Sequence, residues 1–385
     1  MKIALAHDWL TGMRGGEYVL EAIVELFPGA ELFTLLAFPE SVTPELARLK
    51  THTSCLQRLP GAKKRYRHFL PLMPWAIESF DLSSFDLVIS SSHCVAKGVK
   101  KAPDAVHVSY VHAPMRYMWD RFDEYFGPGL ASFWVRLAAH VLRPTLQKWD
   151  RASSSVKRID RLVANSQFIA GRIRQFYDRG ARVVHPFADL TRFARPREPG
   201  ASYLIVGAMA PYKRIDLAIE AFNRLGLPLT IVGSGQDEPR LRRMAAPNVQ
   251  FVGSLSNEEI ELEYSHCRAF IFPGEEDFGI TPLEAMAAGA PVIAFGGGGA
   301  IETVTEETGL FFHEPTVESL MLAVESFERG ECRATEVACR ARAAHFTRAR
   351  FQRELAAQIV ESWRSRGKSV EHLFEAAPQL KPAGA

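Results

Sequence analysis

At 385 residues the chain is long enough for two domains of ordinary size, and its composition, 47% hydrophobic and 23% charged, excludes a disordered or fibrous chain. No apolar run reaches the roughly 18 residues of a membrane-spanning helix, Met1–Asp8 reads as a first strand instead of a signal peptide, and the scattered Cys55, Cys94, Cys267, Cys332 and Cys339 form no CxxC pair. Reduced thiols in a cytosolic protein are therefore expected, with neither a disulfide frame nor a zinc site. The net charge of +2 hides an asymmetry: residues 1–195 hold 27 Lys/Arg against 18 Asp/Glu, and the remainder 19 against 26. A basic first half suits an anionic partner, such as a phospholipid surface or a lipid-pyrophosphate acceptor. No nucleic-acid-binding motif accompanies it.

In chain order, Lys2–Ala6 reads as a strand and Glu17–Phe27 as a helix, with Val19, Leu20, Ile23, Val24 and Phe27 on one face. Gly12, Gly15 and Gly16 lie between them, where backbone can approach a phosphate or sugar closely. The spacing is not GxGxxG, which counts against a nicotinamide dinucleotide site; a plain turn is the competing reading. Glu31–Leu36 is the second strand. Residues 50–80 read as irregular, and within them Lys63-Lys64-Arg65-Tyr66-Arg67-His68-Phe69 up to Trp75 mixes cations with apolar side chains. That mixture fits an anionic membrane interface or a solvated helix face. Phe85–Ser90 and Val106–Val111 are strands, the first followed by a Ser-Ser-His loop. The second runs into His112-Ala113-Pro114-Met115-Arg116-Tyr117-Met118-Trp119-Asp120, at the strand end where open parallel sheets place ligands. A lone histidine there is ordinarily a hydrogen-bonded loop residue, and Trp119 is a candidate core residue. Leu130–Ala152 is a long helix with Pro144 as a kink or boundary, Arg161–Ala164 a strand, Ser166 the cap of a helix, and Val183–His185 a strand.

Strand and helix alternate again from Tyr203–Val206. Gly207-Ala208-Met209-Ala210-Pro211-Tyr212-Lys213-Arg214 leads into the amphipathic helix Ile215–Leu225. Two cations at a helix start oppose the helix dipole, and such a conflict marks a candidate functional site; a diphosphate between Lys213 and the loop amides would resolve it. Leu229–Val232 ends in the glycine loop from Gly233, Val249–Gly253 in Gly253-Ser254-Leu255. Ser256 and Glu259 form a capping box. The stretch from Phe272 to Gly289 joins a buried strand to a helix read with Thr281 as N-cap, Pro282 at the first helical position and Glu284 at the third. It delivers free backbone N–H groups and a positive dipole end beside two carboxylates, Glu276 and Glu284. Taken alone, these are as readily a solvated loop acid and a capping-box acid. Phe295-Gly-Gly-Gly-Gly-Ala300 reads as a flexible loop, Thr308–Phe311 as the last strand, and 316–329, 332–344 and 347–366 as helices.

The Glu276-x7-Glu284 string, followed by small residues and Pro291-Val292, resembles the retaining GT-B glycosyltransferases of family four. The string from His112 through Asp120 resembles a bacterial subgroup of mannosyl- and related transferases of O-antigen and exopolysaccharide assembly. The resemblance implies two Rossmann-like α/β/α domains facing across a cleft, with a C-terminal helix crossing back to the first. The boundaries it suggests are 1–189 for the acceptor-side domain, 190–200 for a linker, 201–350 for the nucleotide-sugar domain, 351–368 for the crossing helix and 369–385 for a frayed tail. It also implies roles. His112, Lys213 and Glu276 are catalytic; Gly15, Gly16, Ala208, Lys213, Arg214, Gly233, Gly253, Ser254, Leu255, Phe278, Gly279, Ile280, Thr281 and Glu284 bind the donor; Arg116, Trp119 and Asp120 lie on the acceptor side. Ala208 occupies the place of the family's usual arginine, for which Arg214 or a cation from the other domain is the candidate substitute.

The expected function is metal-independent, retaining transfer of a hexose, with GDP-mannose the favoured donor and a lipid-linked or polysaccharide glycan the acceptor. The expected location is the cytoplasm, with peripheral binding to the inner face of the membrane. A UDP-sugar donor, a sugar-nucleotide epimerase and a non-catalytic sugar-nucleotide sensor are the alternatives.

Overall fold

The computed structural model describes residues 1–127 and 132–381. The chain divides into two units: Met1–His185 together with Ala349–Ala385, and Pro186–Arg348. The first is built on seven strands, β1 (Ile3–His7), β2 (Glu31–Thr34), β3 (Thr51–Thr53), β4 (Leu87–Ser92), β5 (Val106–Val111), β6 (Arg161–Ala164) and β7 (Arg182–Val183), in the order β3-β2-β1-β4-β5-β6-β7. All neighbours are parallel. β1, β4 and β5 are buried along their whole length, as strands covered on both faces are, and the polar Ser90, Ser91, Ser92, His107 and Ser109 are buried with them. Leu5, in the middle of β1, lies beside Leu32 of β2 and Ile89 of β4.

The second unit has six parallel strands, β8 (Tyr203–Val206), β9 (Leu229–Val232), β10 (Val249–Gly253), β11 (Phe270–Phe272), β12 (Val292–Phe295) and β13 (Gly309–Phe312), in the order β10-β9-β8-β11-β12-β13. Strand periodicity sorts the core into two layers. Tyr203, Ile205, Ile231, Ile271 and Ile293 pack under the Ile215–Leu225 and Val317–Glu328 helices. Leu204, Val232, Phe270, Phe272 and Val292 face Tyr264, Leu283, Met286, Cys339 and Phe346. Both units are Rossmann-like α/β domains. In each, the order reverses beside the first strand, between β1 and β4 and between β8 and β11; this is where doubly wound sheets open a crevice at their carboxyl ends.

Several expectations are corrected. Residues 50–80 contain an edge strand, β3, and a helix over Met73–Glu78; β3 escapes a hydrophobicity reading because Thr51, His52 and Thr53 include no aliphatic residue. The long helix runs Phe133–Ser153 with Pro144 inside it, so that residue is not a boundary, and it is held by Ala139, Leu142, Leu146 and Trp149 against the core; the expected first two residues, Leu130 and Ala131, lie outside the described residues. The tail from 369 folds into a helix over Val370–Ala376 that buries Leu373, and Leu380 is buried as well; the tail's residues 382–385 lie outside the described residues. Among the described residues no helix is long and apolar enough to cross a membrane.

His107 in β5 is fully buried. Its Nδ1–H donates to the Arg158 carbonyl at 3.0 Å, so Nε2 accepts from the Ser90 hydroxyl at 2.8 Å. Burial lowers its pKa from 6.5 to about 4. The unfolded chain therefore takes up this proton first as pH falls, and the stability is complete above about pH 6.5 and lost progressively towards pH 4. The urea midpoint should fall between pH 7 and pH 5, and His107→Gln should flatten that slope whatever it does to the midpoint at pH 7.

Candidate active site

At the reversal point of the second sheet, β8 runs out into the 207–214 loop and β11 into the 273–279 loop. Lys213 and Glu276 meet there: the lysine ammonium donates to the Glu276 carboxylate, and the two side chains are 18% and 17% exposed. The cation that opposes the dipole in the sequence is thus balanced by an acid 63 positions away. The loops interlock through backbone. Met209 N–H donates to Ser234, Gly233 N–H to Gly253, and Gly299 N–H to Glu276. A Cβ on Gly274 would lie 2.7 Å from the Tyr212 carbonyl oxygen and 2.8 Å from the Lys213 backbone, and one on Gly298 would lie 2.3 Å from the Glu276 carbonyl oxygen. The four-glycine run is accordingly a contact surface for the acidic loop, and the flexible-loop expectation is corrected.

The Thr281 cap is also corrected. The helix runs Ile280–Ala287 with Gly279 at its cap, at φ 87°, and without a side-chain cap. Gly279 turns the chain two residues before Thr281 could, and Pro282 is tolerated inside the first turn because no N–H is required there. The N–H groups of that turn carry no side-chain cap, which leaves an anion-binding helix end. Glu284 then lies within the helix, beyond capping reach, and accepts from the Tyr264 hydroxyl at 3.0 Å. Burial raises its pKa, opposed by the Tyr264 hydrogen bond and by Arg192. Phe278 is buried against Phe346. Gly253, Ser254 and Leu255 follow the end of β10 beside the Gly233 loop, with Ser254 Oγ 3.5 Å from Ser234 Oγ. Ala208 is exposed. Arg214 has φ 52° and lies 3.3 Å from Asp216.

At the carboxyl edge of the first sheet the structure assembles a group of which the sequence reading had singled out His112 and Gly16 but not Asp8, His7, His93 or Glu17. Asp8 follows β1, is wholly buried, and accepts backbone N–H groups from His93, Cys94, Val95 and Ala96 at 2.6–3.0 Å. It also lies 3.1 Å from His93 Nδ1. Burial alone would raise its pKa, but His93, His7 and these N–H donors hold it below the usual carboxylate range. His7 donates Nδ1–H to the Ser91 carbonyl, and its Nε2 is 3.9 Å from Glu17 in the first turn of the Gly15–Leu26 helix. His112 follows β5 and exchanges a 2.8 Å hydrogen bond with Ser91 Oγ. Burial lowers its pKa to about 3, helped by His93 and His7. A Cβ on Gly16 would touch both His112 and His7 at 3.8–3.9 Å; Gly15 and Gly16, expected in the loop, are the first two residues of the Gly15–Leu26 helix, so the helix start lies directly on this cluster. His93, 29% exposed, has burial as the main cause of its lowered pKa. A neutral imidazole whose Nδ1–H is fixed by a buried carboxylate presents Nε2 as a hydrogen-bond acceptor. The readable signal was positional: each of these residues lies just past or at the end of a parallel strand, or in the first turn after one.

Trp119 and Asp120 are held differently. Trp119 donates to Asp150 at 2.7 Å and stacks on Phe176, and Asp120 pairs with Arg172. Asp150 is fully buried and also holds Lys97 at 2.6 Å and the Tyr177 hydroxyl at 2.8 Å. Arg116 is half-buried and its carbonyl accepts from Arg121 N–H at 3.0 Å.

Residues 190–345 match the family model described as glycosyl transferases group 1. The chain is 33% identical over 156 residues to the O-antigen chain mannosyltransferase C of Escherichia coli, covering 35% of this chain and 42% of that protein. It is 37% identical over 128 residues to a GDP-mannose-dependent monoacylated alpha-(1-6)-phosphatidylinositol monomannoside mannosyltransferase of Corynebacterium glutamicum, covering 29% of this chain and 34% of that protein. These alignments span less than half the length of either relative. The structure resembles that of HepE from Anabaena in complex with UDP and glucose, with a TM-score of 0.67 at 15% identity over 94% of this chain and all of that one; the likeness extends the GT-B fold to both units.

Gly274→Ala should place a methyl group against the Lys213 backbone, at a cost of about 1–3 kcal/mol of stability. Chemical denaturation should show that loss as a lower midpoint than that of the wild type.

Proposed function

We propose that this chain, which over residues 190–345 belongs to the glycosyl transferases group 1, is a retaining hexosyltransferase that moves mannose from GDP-mannose to a lipid-linked or polysaccharide glycan acceptor. The observation that carries the proposal is the Lys213–Glu276 pair at the reversal point of the second sheet, beside the uncapped Ile280–Ala287 helix start. A cation, a helix end and a glycine-bounded loop converge on one spot and suit a diphosphate. The two mannosyltransferase relatives, one of them GDP-mannose-dependent, favour GDP-mannose. The UDP and glucose held by the Anabaena protein keep a UDP-sugar donor as the second reading.

In this mechanism the bond from the sugar anomeric carbon to the diphosphate breaks, and the bond to the acceptor oxygen forms on the same face. The acceptor proton passes to the departing diphosphate. Lys213 and the amides of Phe278–Thr281 stabilise the charge that grows on the leaving group. Glu276 orients sugar hydroxyls, and Glu284 takes the ribose. His112, neutral at pH 7, hydrogen-bonds a sugar hydroxyl without adding charge. Gly253–Leu255 contact the base through backbone. No metal is required, and the protein works in the cytoplasm at the inner membrane face, where a lipid-linked acceptor is available.

The test is a thermal-shift panel of GDP, UDP and their sugar conjugates, with and without EDTA, followed by transfer assays. A ligand at about 100 times its Kd adds roughly 2.7 kcal/mol of stability. GDP and GDP-mannose should raise the melting temperature by several degrees, EDTA should change nothing, and UDP should do less. A larger shift with UDP conjugates would overturn the donor, and silence from every nucleotide would overturn the transferase reading. Lys213→Ala should lower kcat by about 10²–10³-fold, and a Glu276→Gln enzyme with full transfer activity would contradict the role given to that carboxylate.

A further inference from the structure

The Phe133–Ser153 helix has two apolar faces. One is core: Ala139, Leu142, Leu146 and Trp149 recur at three-to-four spacing and pack into the first unit's main hydrophobic cluster. The other faces water. Phe133, Leu137 and Val141 repeat every four residues, with Trp134 alongside, and they are 66%, 47%, 69% and 74% exposed respectively. Helices of globular proteins place polar residues on the side away from the core. A continuous outward stripe of large apolar side chains, two of them aromatic, marks an interaction surface.

The charge around the stripe selects the partner. The helix carries the exposed Lys148 and the half-buried Arg136, while Arg143 and Arg151 are held by the carbonyls of Met118, Trp119 and Phe176, and its one acid, Asp150, is buried against Lys97. A second site of the same character lies on the same hydrophobic cluster. Tyr66 and Met73 are anchored in that cluster, while Leu72 and Trp75 are 49% and 63% exposed and follow the cationic run 63–67. Apolar insertion flanked by cations is the pattern of a helix lying in the headgroup layer of an anionic bilayer. A symmetric contact with a second copy would set the same cations against each other.

We propose that Phe133, Trp134, Leu137 and Val141 form the surface by which the first unit docks on an anionic lipid bilayer, with the helix lying in the interface plane and the exposed cations Lys148, Lys64, Arg65 and Arg67 on the headgroups. The proposal gives the peripheral membrane location in the functional reading a specific surface and rests on that reading only for its biological sense. Vesicle binding requires no nucleotide, so its failure and the failure of the transferase reading are separate results.

The experiment is flotation of the full-length chain with phosphatidylcholine vesicles and with vesicles that also contain phosphatidylglycerol, run beside Phe133→Ser/Trp134→Ser and, separately, Val141→Ser. The wild type should float with the anionic vesicles and remain behind with the neutral ones. The double variant should lose about tenfold or more in partitioning, since each large side chain contributes roughly 1.5–3 kcal/mol when buried, and Val141→Ser should lose a smaller part. Both variants alter exposed side chains, so their melting temperatures and responses to GDP should match the wild type. Wild-type binding left unchanged by both variants would overturn the proposal. So would a wild type that ignores anionic vesicles, or one that is a dimer in light scattering and is made monomeric by the double variant without any vesicle binding.

Discussion

All strands of each sheet run the same way, and this constraint fixes where chemistry can occur. Every strand delivers its following loop to one edge, and the reversal of strand order beside the first strand parts two of those loops. Residues far apart in sequence are therefore collected at that edge. In the second unit the result is Lys213 beside Glu276, and in the first it is His7, Asp8, His93 and His112. The neighbouring glycines follow from the same crowding. Gly274 and Gly298 lie where a Cβ would run into the backbone of an adjacent loop.

The two edges are electrostatically unlike. In the second unit a cation and a carboxylate partly open to solvent neutralise each other, an arrangement that a diphosphate can enter by taking over the lysine. In the first unit Asp8 is sealed by four backbone N–H donors, and burial holds the neighbouring imidazoles of His93 and His112 neutral. Hydrogen-bonding imidazoles with little charge suit hydroxyl groups better than phosphates.

Much of the fold was legible because the central strands are buried on both faces. Tyr203–Val206 and Leu229–Val232 coincide with their apolar runs, Val106–Val111 and the edge strand Val249–Gly253 with apolar residues interleaved with polar ones, and the Ser256–Glu259 capping box forms as its spacing predicts. β3 was not legible, because a three-residue edge strand needs no apolar run. The cap at Gly279 was hidden behind Thr281, whose sequence position imitates a capping box; only the positive φ of the glycine reveals where the helix begins. Of the site, Lys213 and Glu276 were legible as residues but not as a pair, since pairing depends on strand order. His93 and Asp8 were missed for the same reason: their contact joins the end of β4 to the end of β1, and nothing local in the sequence announces it.

The central claim is that Glu276 holds Lys213 until a diphosphate replaces it. Calorimetric titration of GDP into the wild type, Lys213→Met and Glu276→Gln tests this directly, because GDP has the diphosphate and lacks the sugar. The account predicts that Lys213→Met weakens GDP binding by tenfold or more, while Glu276→Gln, which releases the lysine, binds GDP as tightly as the wild type or more tightly. Equal weakening in the two variants would contradict it, showing that the carboxylate and the ammonium act on the nucleotide together and do not exchange partners.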